Sequence, residues 1–263
     1  MRIAFILTAG LLCALARVPA SLSAQRGGMF LGSAEDPAIA YSTATLNNAV
    51  SEINKKLHDG SVRLTFEGRS GYLRSALSAL DIPVDSQMLV FSQTSFQRKR
   101  ISEINPRAVF FNDRVALGWV RDGEIIEVAA QDAKEGIVFY TLDQRPMDQP
   151  EFRRAFTCLG CHMAGDTLGV PGMLMFSTTT SAGAGEPGKS VITDHRLPLE
   201  DRWGGWYVTG SSGSIQHRGN ESAAIGGRPA AAWPPWTVCS MPMDISPCRA
   251  TLRPCWCSRI RPI

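Results

Sequence analysis

Histidine is scarce in this chain. Its 263 residues hold four, so a metal bound by imidazole has few ligands to draw on. The net charge is only +3, too weak a field to argue for nucleic acid or an anionic membrane as a partner. Beyond the N-terminus no stretch approaches about 18 uninterrupted apolar residues, which excludes a spanning helix there. Internal repeats are absent and the middle of the chain has no low-complexity segment, so repeat architectures drop out. What is present, 44% hydrophobic and 19% charged residues, suffices for one sizeable domain or two small ones of soluble character.

The N-terminus has its own pattern. Met1-Arg2 precedes an apolar run from Ile3 to Ala16, and small residues follow at Ala20 and Ser23-Ala24. This is the layout of a secretory signal, with cleavage expected after Ala24 or Ala20. Residues 1–24 are therefore read as a signal peptide. The mature protein is expected to be exported, periplasmic in a bacterium, and not stably inserted in a membrane. Cys13 lacks the small residue just before it that a lipoprotein site needs, so no lipid anchor is expected.

Residues 25–40, rich in Gly, Ala and Ser, read as a flexible lead-in. Leu46, Val50, Ile53 and Leu57 recur at helical spacing and predict a helix over Ala44–Leu57, with Gly60 as its stop. Arg63–Glu67 alternates like a strand. Tyr72–Leu80 is a second amphipathic helix, closed by Asp81-Ile82-Pro83. Five short strand-like runs then follow: Met88–Phe91, Ala108–Phe111, Val115–Val120, Ile125–Ala129 and Ile137–Leu142. Arg121-Asp122-Gly123-Glu124 is a hairpin turn between two of them. A mixed α/β domain over 41–145 results, an antiparallel sheet edged by two helices. Arg98-Lys99-Arg100 reads as a solvated patch. A break at Arg145–Pro150 and a short helix over Glu151–Phe156 lead into residues 146–220, which are loop-rich and contain a Gly-rich excursion at 183–188. The fold class expected is α+β, the sheet and its helices followed by a loop-rich, mostly helical region.

That second region carries Cys158-Leu159-Gly160-Cys161-His162. Two cysteines three apart on a helical turn lie on one side and match the two vinyl groups of a haem. The next residue then points its imidazole at the iron as proximal ligand. Two other chemistries use a C-x-x-C pair. Zinc needs a second knuckle, and Cys255-Trp256-Cys257 is too tight for one. A thioredoxin-type dithiol needs a strand before it and a helix after it, whereas Gly165, Gly169, Pro171 and Gly172 crowd the chain behind Cys161. Haem c, with iron on His162, is the reading carried forward, and export supports it because haem is attached covalently outside the bacterial cytoplasm.

The sixth iron position decides the chemistry, because a strong ligand there favours electron transfer and an open site favours small-molecule reactions. His195, His217 and Met173 are the distal candidates. Met163 is adjacent to His162 and cannot cross the ring; the eleven residues from His162 to Met173 span at most about 36 Å, enough to round the haem edge. Met175 is a further thioether, and His58 reads as a surface residue. The aromatic, histidine and arginine residues of 194–220 could wall a haem, arginines facing its propionates.

Several words resemble a family of exported bacterial proteins described only as cytochrome c domain-containing proteins: Gly71–Ser75, Leu80–Val84, Phe91–Gln97, Tyr140–Gln144, Cys158–His162, Thr193–Arg196 and Arg202–Gly210. The resemblance covers about residues 41–220 and implies haem c at Cys158, Cys161 and His162. It implies no substrate. Residues 221–263 break the pattern. Trp233-Pro234-Pro235-Trp236, then Cys239, Cys248, Cys255 and Cys257 among Pro and Arg, show no periodicity. Read two bases on, permitted codons for Trp233–Ile263 yield a turn and a Ser-capped amphipathic helix. A frameshift between about Glu221 and Trp233 is therefore expected; the competing reading is a disulfide-bearing tail.

Three functions fit the motif. A periplasmic c-type cytochrome passing electrons to a redox partner protein is the first; the others are a peroxidase-like oxidoreductase with an open distal side and a haem-bearing sensor or binding module. An electron carrier is expected over an enzyme.

Overall fold

The computed structural model describes residues 34–37, 39–179, 189–208 and 212–220. The signal segment, most of the 25–40 lead-in, the 183–188 excursion and the 221–263 tail lie outside the described residues.

Most of the architecture is sheet. Six antiparallel strands follow one another in chain order: β1 (Met88–Val90), β2 (Arg107–Phe111), β3 (Val115–Trp119), β4 (Ile125–Asp132), β5 (Gly136–Asp143) and β6 (Arg153–Arg154). The long β4–β5 hairpin pairs Ile125 with Asp143 at one end and Asp132 with Gly136 at the other. Alternation decides its two faces. Ile126, Val128 and Ala130 are buried on the first, opposite Leu142, Tyr140 and Val138. Glu127 and Ala129 lie on the second, opposite Thr141 and Phe139.

The first face carries the core. Helix α1 (Ala49–His58) contributes Val50 and Ile53, and α2 (Leu73–Ala79) contributes Leu73, Ala76 and Leu77, in one cluster with Leu117, Ile126 and Val128. Helix α1 starts at Ala49 rather than Ala44 because Asn48 caps it. The Asn48 side chain accepts from Ser51 N, and Ser51 Oγ accepts from Asn48 N, a reciprocal box. Asp132 locks this cap to the sheet by accepting from Asn47 N at 2.7 Å and from Asn48 Nδ2 at 3.0 Å. Lys134 N and Glu135 N also donate to it. Burial opposes the Asp132 charge, yet these donors outweigh it and hold the carboxyl below its ordinary range.

A depressed carboxylate adds stability that is present above its unfolded pKa, roughly 4, and is lost as pH falls through the folded value. Asp132→Asn is therefore expected to lower unfolding free energy at pH 7 by about 1–3 kcal/mol, since buried donors lose their acceptor. The gap to wild type should narrow below pH 4. Urea unfolding at pH 7 and pH 3 checks both.

The expected mostly helical region over 146–220 is not there. Its only helix among the described residues is α3 (Leu159–His162), four residues long. Met163 (φ −140°) ends it, and Gly165, Gly169, Pro171 and Gly172 prevent a restart. The predicted helix over Glu151–Phe156 is instead β6, paired with Tyr140 and Thr141, followed by a 3-10 turn at Phe156–Cys158. Arg63–Glu67 also misses: no ladder forms there, only a bridge from Glu67 to Gly71. The buried side chains of both early helices join one core cluster with those of the first sheet face. The α+β expectation gives way to a mainly antiparallel-sheet fold, with α1, α2 and α3 short among the described residues.

The remainder is a small hairpin, β7 (Phe176–Thr178) with β8 (Ser190–Ile192), clasped to the sheet edge by residues 203–207. Phe91 N donates to Gly205 O at 2.8 Å and Tyr207 N to Leu89 O at 2.9 Å, covering the free edge of β1. Trp206 Nε1 donates to Phe176 O, and Thr178 N donates to Gly204 O, both at 2.8 Å. No helix among the described residues is long and apolar enough to cross a membrane.

Candidate functional site

The motif sits where β6 hands over to α3. Leu159 and Met163, one helical turn apart, are both 1% exposed and pin α3 to the core. The same turn leaves Cys161 exposed, with Cys158 and His162 partly buried. Met163 is thereby a core residue, as its neighbourhood to His162 requires.

His162 is held from two sides. Its ring packs on Phe139, centroid to centroid 4.5 Å, on the second face of the sheet. Its Nδ1 lies 3.0 Å from Gly172 O, and Gly172 N returns a bond to His162 O at 2.9 Å. A carbonyl can only accept, so Nδ1 carries the proton and the Nε2 lone pair is free. This is the arrangement of a metal-ligating histidine, its second nitrogen fixed by a backbone carbonyl. Burial pushes the imidazole pKa down, with the Gly172 bond opposing, which keeps the ring neutral and able to ligate. Gly172 is tightly placed: a Cβ there would lie 3.2 Å from Thr167 Cγ2.

Cys158 has the opposite character to a redox thiol. Burial, then the Glu127 charge, then Cys161 push its pKa up to about 12. The attacking thiol of a dithiol oxidoreductase has that value lowered instead, to stabilise its thiolate. Among the described residues no three His, Cys, Asp or Glu side chains converge as a metal site. A haem c needs no such cluster, only two thiols for the vinyls and one imidazole for iron, and Cys158, Cys161 and His162 fit that demand.

The distal candidates are not assembled around His162. Met173 directly follows Gly172, whose carbonyl meets His162 Nδ1, and its side chain is exposed. Met175 is exposed at the start of the hairpin, its carbonyl accepting from Thr193 N. His195 is exposed in the Asp194–Arg196 turn, where Arg196 Nε binds Asp194 at 2.8 Å. His217 stands edge-on to Trp203 at 6.0 Å, and its Nδ1 accepts from Gly219 N at 3.0 Å. An accepting Nδ1 places the proton of the neutral ring on Nε2, the reverse of His162. Of the expected aromatic wall, Trp206 is buried and holds β7.

Phe139 and Gly172 were not singled out as site residues from sequence. Strand alternation puts Phe139 on the second face, but only the tertiary fold brings His162 onto it. Pro171-Gly172 reads as a turn, and nothing local marks its carbonyl as an acceptor. A cleft of about 350 Å³ at the end of α2, lined by Leu77, Asp81, Ile82 and Asn112, is separate from the motif; Asn112 Nδ2 is already bound to the Leu80 and Asp81 carbonyls. No family model, curated protein or solved structure matches the chain.

Proposed function

We propose that the protein is an exported c-type cytochrome, with one haem bound covalently through Cys158 and Cys161, iron on His162 Nε2, and electron transfer to a partner protein as its task. The observation that carries this is the state of His162, a neutral ring with Nδ1 fixed by Gly172 O and Nε2 free, on the same turn as both thiols. Exposed apolar side chains around the motif support it. Phe156, Leu168, Val170 and Met173 all stand at or above 43% exposure, surface that a macrocycle would cover. The haem supplies the redox couple. The chain's part is to orient the imidazole, to keep it neutral, and to exclude water from its sheet side with Phe139.

The test is a pyridine haemochrome spectrum of full-length protein expressed with a cytochrome c maturation system. About one covalent haem per chain, stable to denaturation, is expected. Colourless protein with both thiols open to alkylation would sink the reading.

A second reading, a haem with an open distal side acting on peroxide or another small oxidant, draws on the hydrogen bonding of His217 and the exposure of Met173. His217 Nδ1 is already engaged by Gly219 N, and the Met173 side chain is exposed. Cyanide and CO decide between the two. A spectrum that both ligands leave unchanged supports electron transfer, and one that shifts at once supports the open site.

A further inference from the structure

An exposed basic and apolar segment stands on a rigid footing beside the motif. Residues 95–97 lie along the start of β4 and are tied to it at both ends. Ser95 Oγ donates to Glu127 Oε1 at 2.7 Å. Gln97 is buried; its Nε2 donates to Ile125 O at 3.1 Å and its Oε1 accepts from Glu124 N at 3.0 Å. Phe96, between these two anchors, is left 59% exposed. The turn that follows is fixed as firmly. Asn105 Nδ2 donates to Arg100 O at 2.8 Å, Arg121 Nε donates to Asn105 Oδ1 at 3.1 Å, and Ser102 and Asn105 exchange backbone bonds. Ile104, within that turn, is 82% exposed.

The segment borders the motif. Glu127, which holds Ser95, takes Arg107 Nη1 on its other oxygen at 3.0 Å, and the charges of both residues act on His162. Ala129 pairs directly with Phe139, the ring under His162, and Glu127 is two residues along the same face of β4. Such diagonal neighbours lie about 7–8 Å apart. A protein seated on residues 96–104 therefore stands on the motif's side of the sheet.

Cations flank the two apolar side chains. Arg100 is offset by Glu124 at 2.7 Å and Arg69 by Asp122 at 2.9 Å, whereas Arg98, Lys99 and Arg121 have no carboxylate partner among the described residues. Arg98 and Lys99 are both exposed, and Glu103 in the neighbouring turn is partly buried. Aromatic and Arg side chains are the ones enriched in protein interfaces. A membrane-binding segment uses a denser cluster, roughly four to eight Lys or Arg. A backbone already fixed also lowers the ordering cost of association. We propose that Phe96, Arg98, Lys99 and Ile104 form the surface on which the redox partner docks, and that the partner meets it with an acidic face around an apolar centre. The proposal rests on the electron-transfer reading above and gives that reading the chemistry of its partner.

The experiment uses full-length protein matured with haem, as wild type, Arg98→Glu/Lys99→Glu and Phe96→Ala. Lys55→Glu/Lys56→Glu, on exposed positions of α1, is the control with the same change of net charge. Stopped-flow reduction of the ferric haem is followed with two donors. One is reduced flavodoxin, an acidic electron-transfer protein; the other is free reduced riboflavin, which has no extended acidic face. With flavodoxin at low salt, charge reversal at Arg98 and Lys99 slows the second-order rate by roughly tenfold or more, and high salt removes the difference. Phe96→Ala slows it about fivefold at either salt. The control stays within about twofold of wild type, and riboflavin reduces every variant alike. Equal slowing in the control, or charge-reversed protein as fast as wild type, overturns the docking surface and leaves the haem reading standing. So does co-sedimentation of wild type, and not of the charge-reversed variant, with vesicles of neutral and anionic phospholipid, which would assign the segment to a membrane. Wild-type protein without covalent haem overturns both.

Discussion

Protein in which Cys158 and Cys161 are both replaced by alanine is expected to carry no covalent haem, and haem staining on a denaturing gel should vanish. In the proposed attachment each thiol supplies one thioether bond, so either single variant should keep a stained band with an altered α-band, and only the pair should lose it. Without the covalent bonds the haem would depend on His162 and an exposed rim, since Cys161 is exposed and the motif occupies a single turn. The fold itself should survive. Cys161 is exposed, and Cys158, partly buried against the core cluster, loses only its Sγ, so the double variant should unfold within about 1–2 kcal/mol of wild-type apoprotein. A stained band after removal of both thiols would refute the attachment site. The Cys158 thiol adds a kinetic expectation. Pushed up to about 12 by burial, it is almost wholly protonated at neutral pH. Haem offered to folded apoprotein is therefore expected to react more slowly at the partly buried Cys158 than at the exposed Cys161.

The sheet was legible because period-two alternation is a strong local signal where one face is buried. All five predicted runs became strands, with ends shifted by up to three residues. Ile126, Val128 and Ala130 against Val138, Tyr140 and Leu142 spell that burial out in sequence. Helix α1 was legible from its apolar spacing, and its start was misplaced because a cap depends on Asn48 meeting Ser51 and Asp132. The haem region was misjudged in structure. A helical expectation was extended over a segment whose glycines and Pro171 stop α3 after one turn. Arg153–Arg154 is too short to alternate, so nothing local announced β6. The motif itself was spelled out, but its supports were not. Phe139, Gly172 and Arg107 are neighbours of Cys158–His162 only in three dimensions, and no spacing rule links them.

Gly205→Ala is expected to cost about 2–5 kcal/mol and to loosen the proposed haem site from a distance. Gly205 has φ +82°, where a side chain is strained by roughly 1–2 kcal/mol, and a Cβ there would lie 2.5 Å from Ser92 Cβ, an overpacking cost of about 1–3 kcal/mol. Gly60→Ala is the control. Its φ is +79° with nothing within 4 Å, so it should carry only the backbone strain, about 1–2 kcal/mol. The difference between the two reports the clash at Ser92. The consequence reaches His162 through a short relay. Gly205 O holds Phe91 N, the next residue, Trp206, holds Phe176 O, and Phe176 is four residues past Gly172, the acceptor for His162 Nδ1. When the clasp lifts, β7 loses its anchor and the Gly172 carbonyl loses its fixed place. Faster hydrogen exchange at the Phe91 amide should accompany broadened haem absorption in Gly205→Ala, with neither in Gly60→Ala. If Gly205→Ala unfolds no more easily than Gly60→Ala, the clasp does not hold this edge of the sheet.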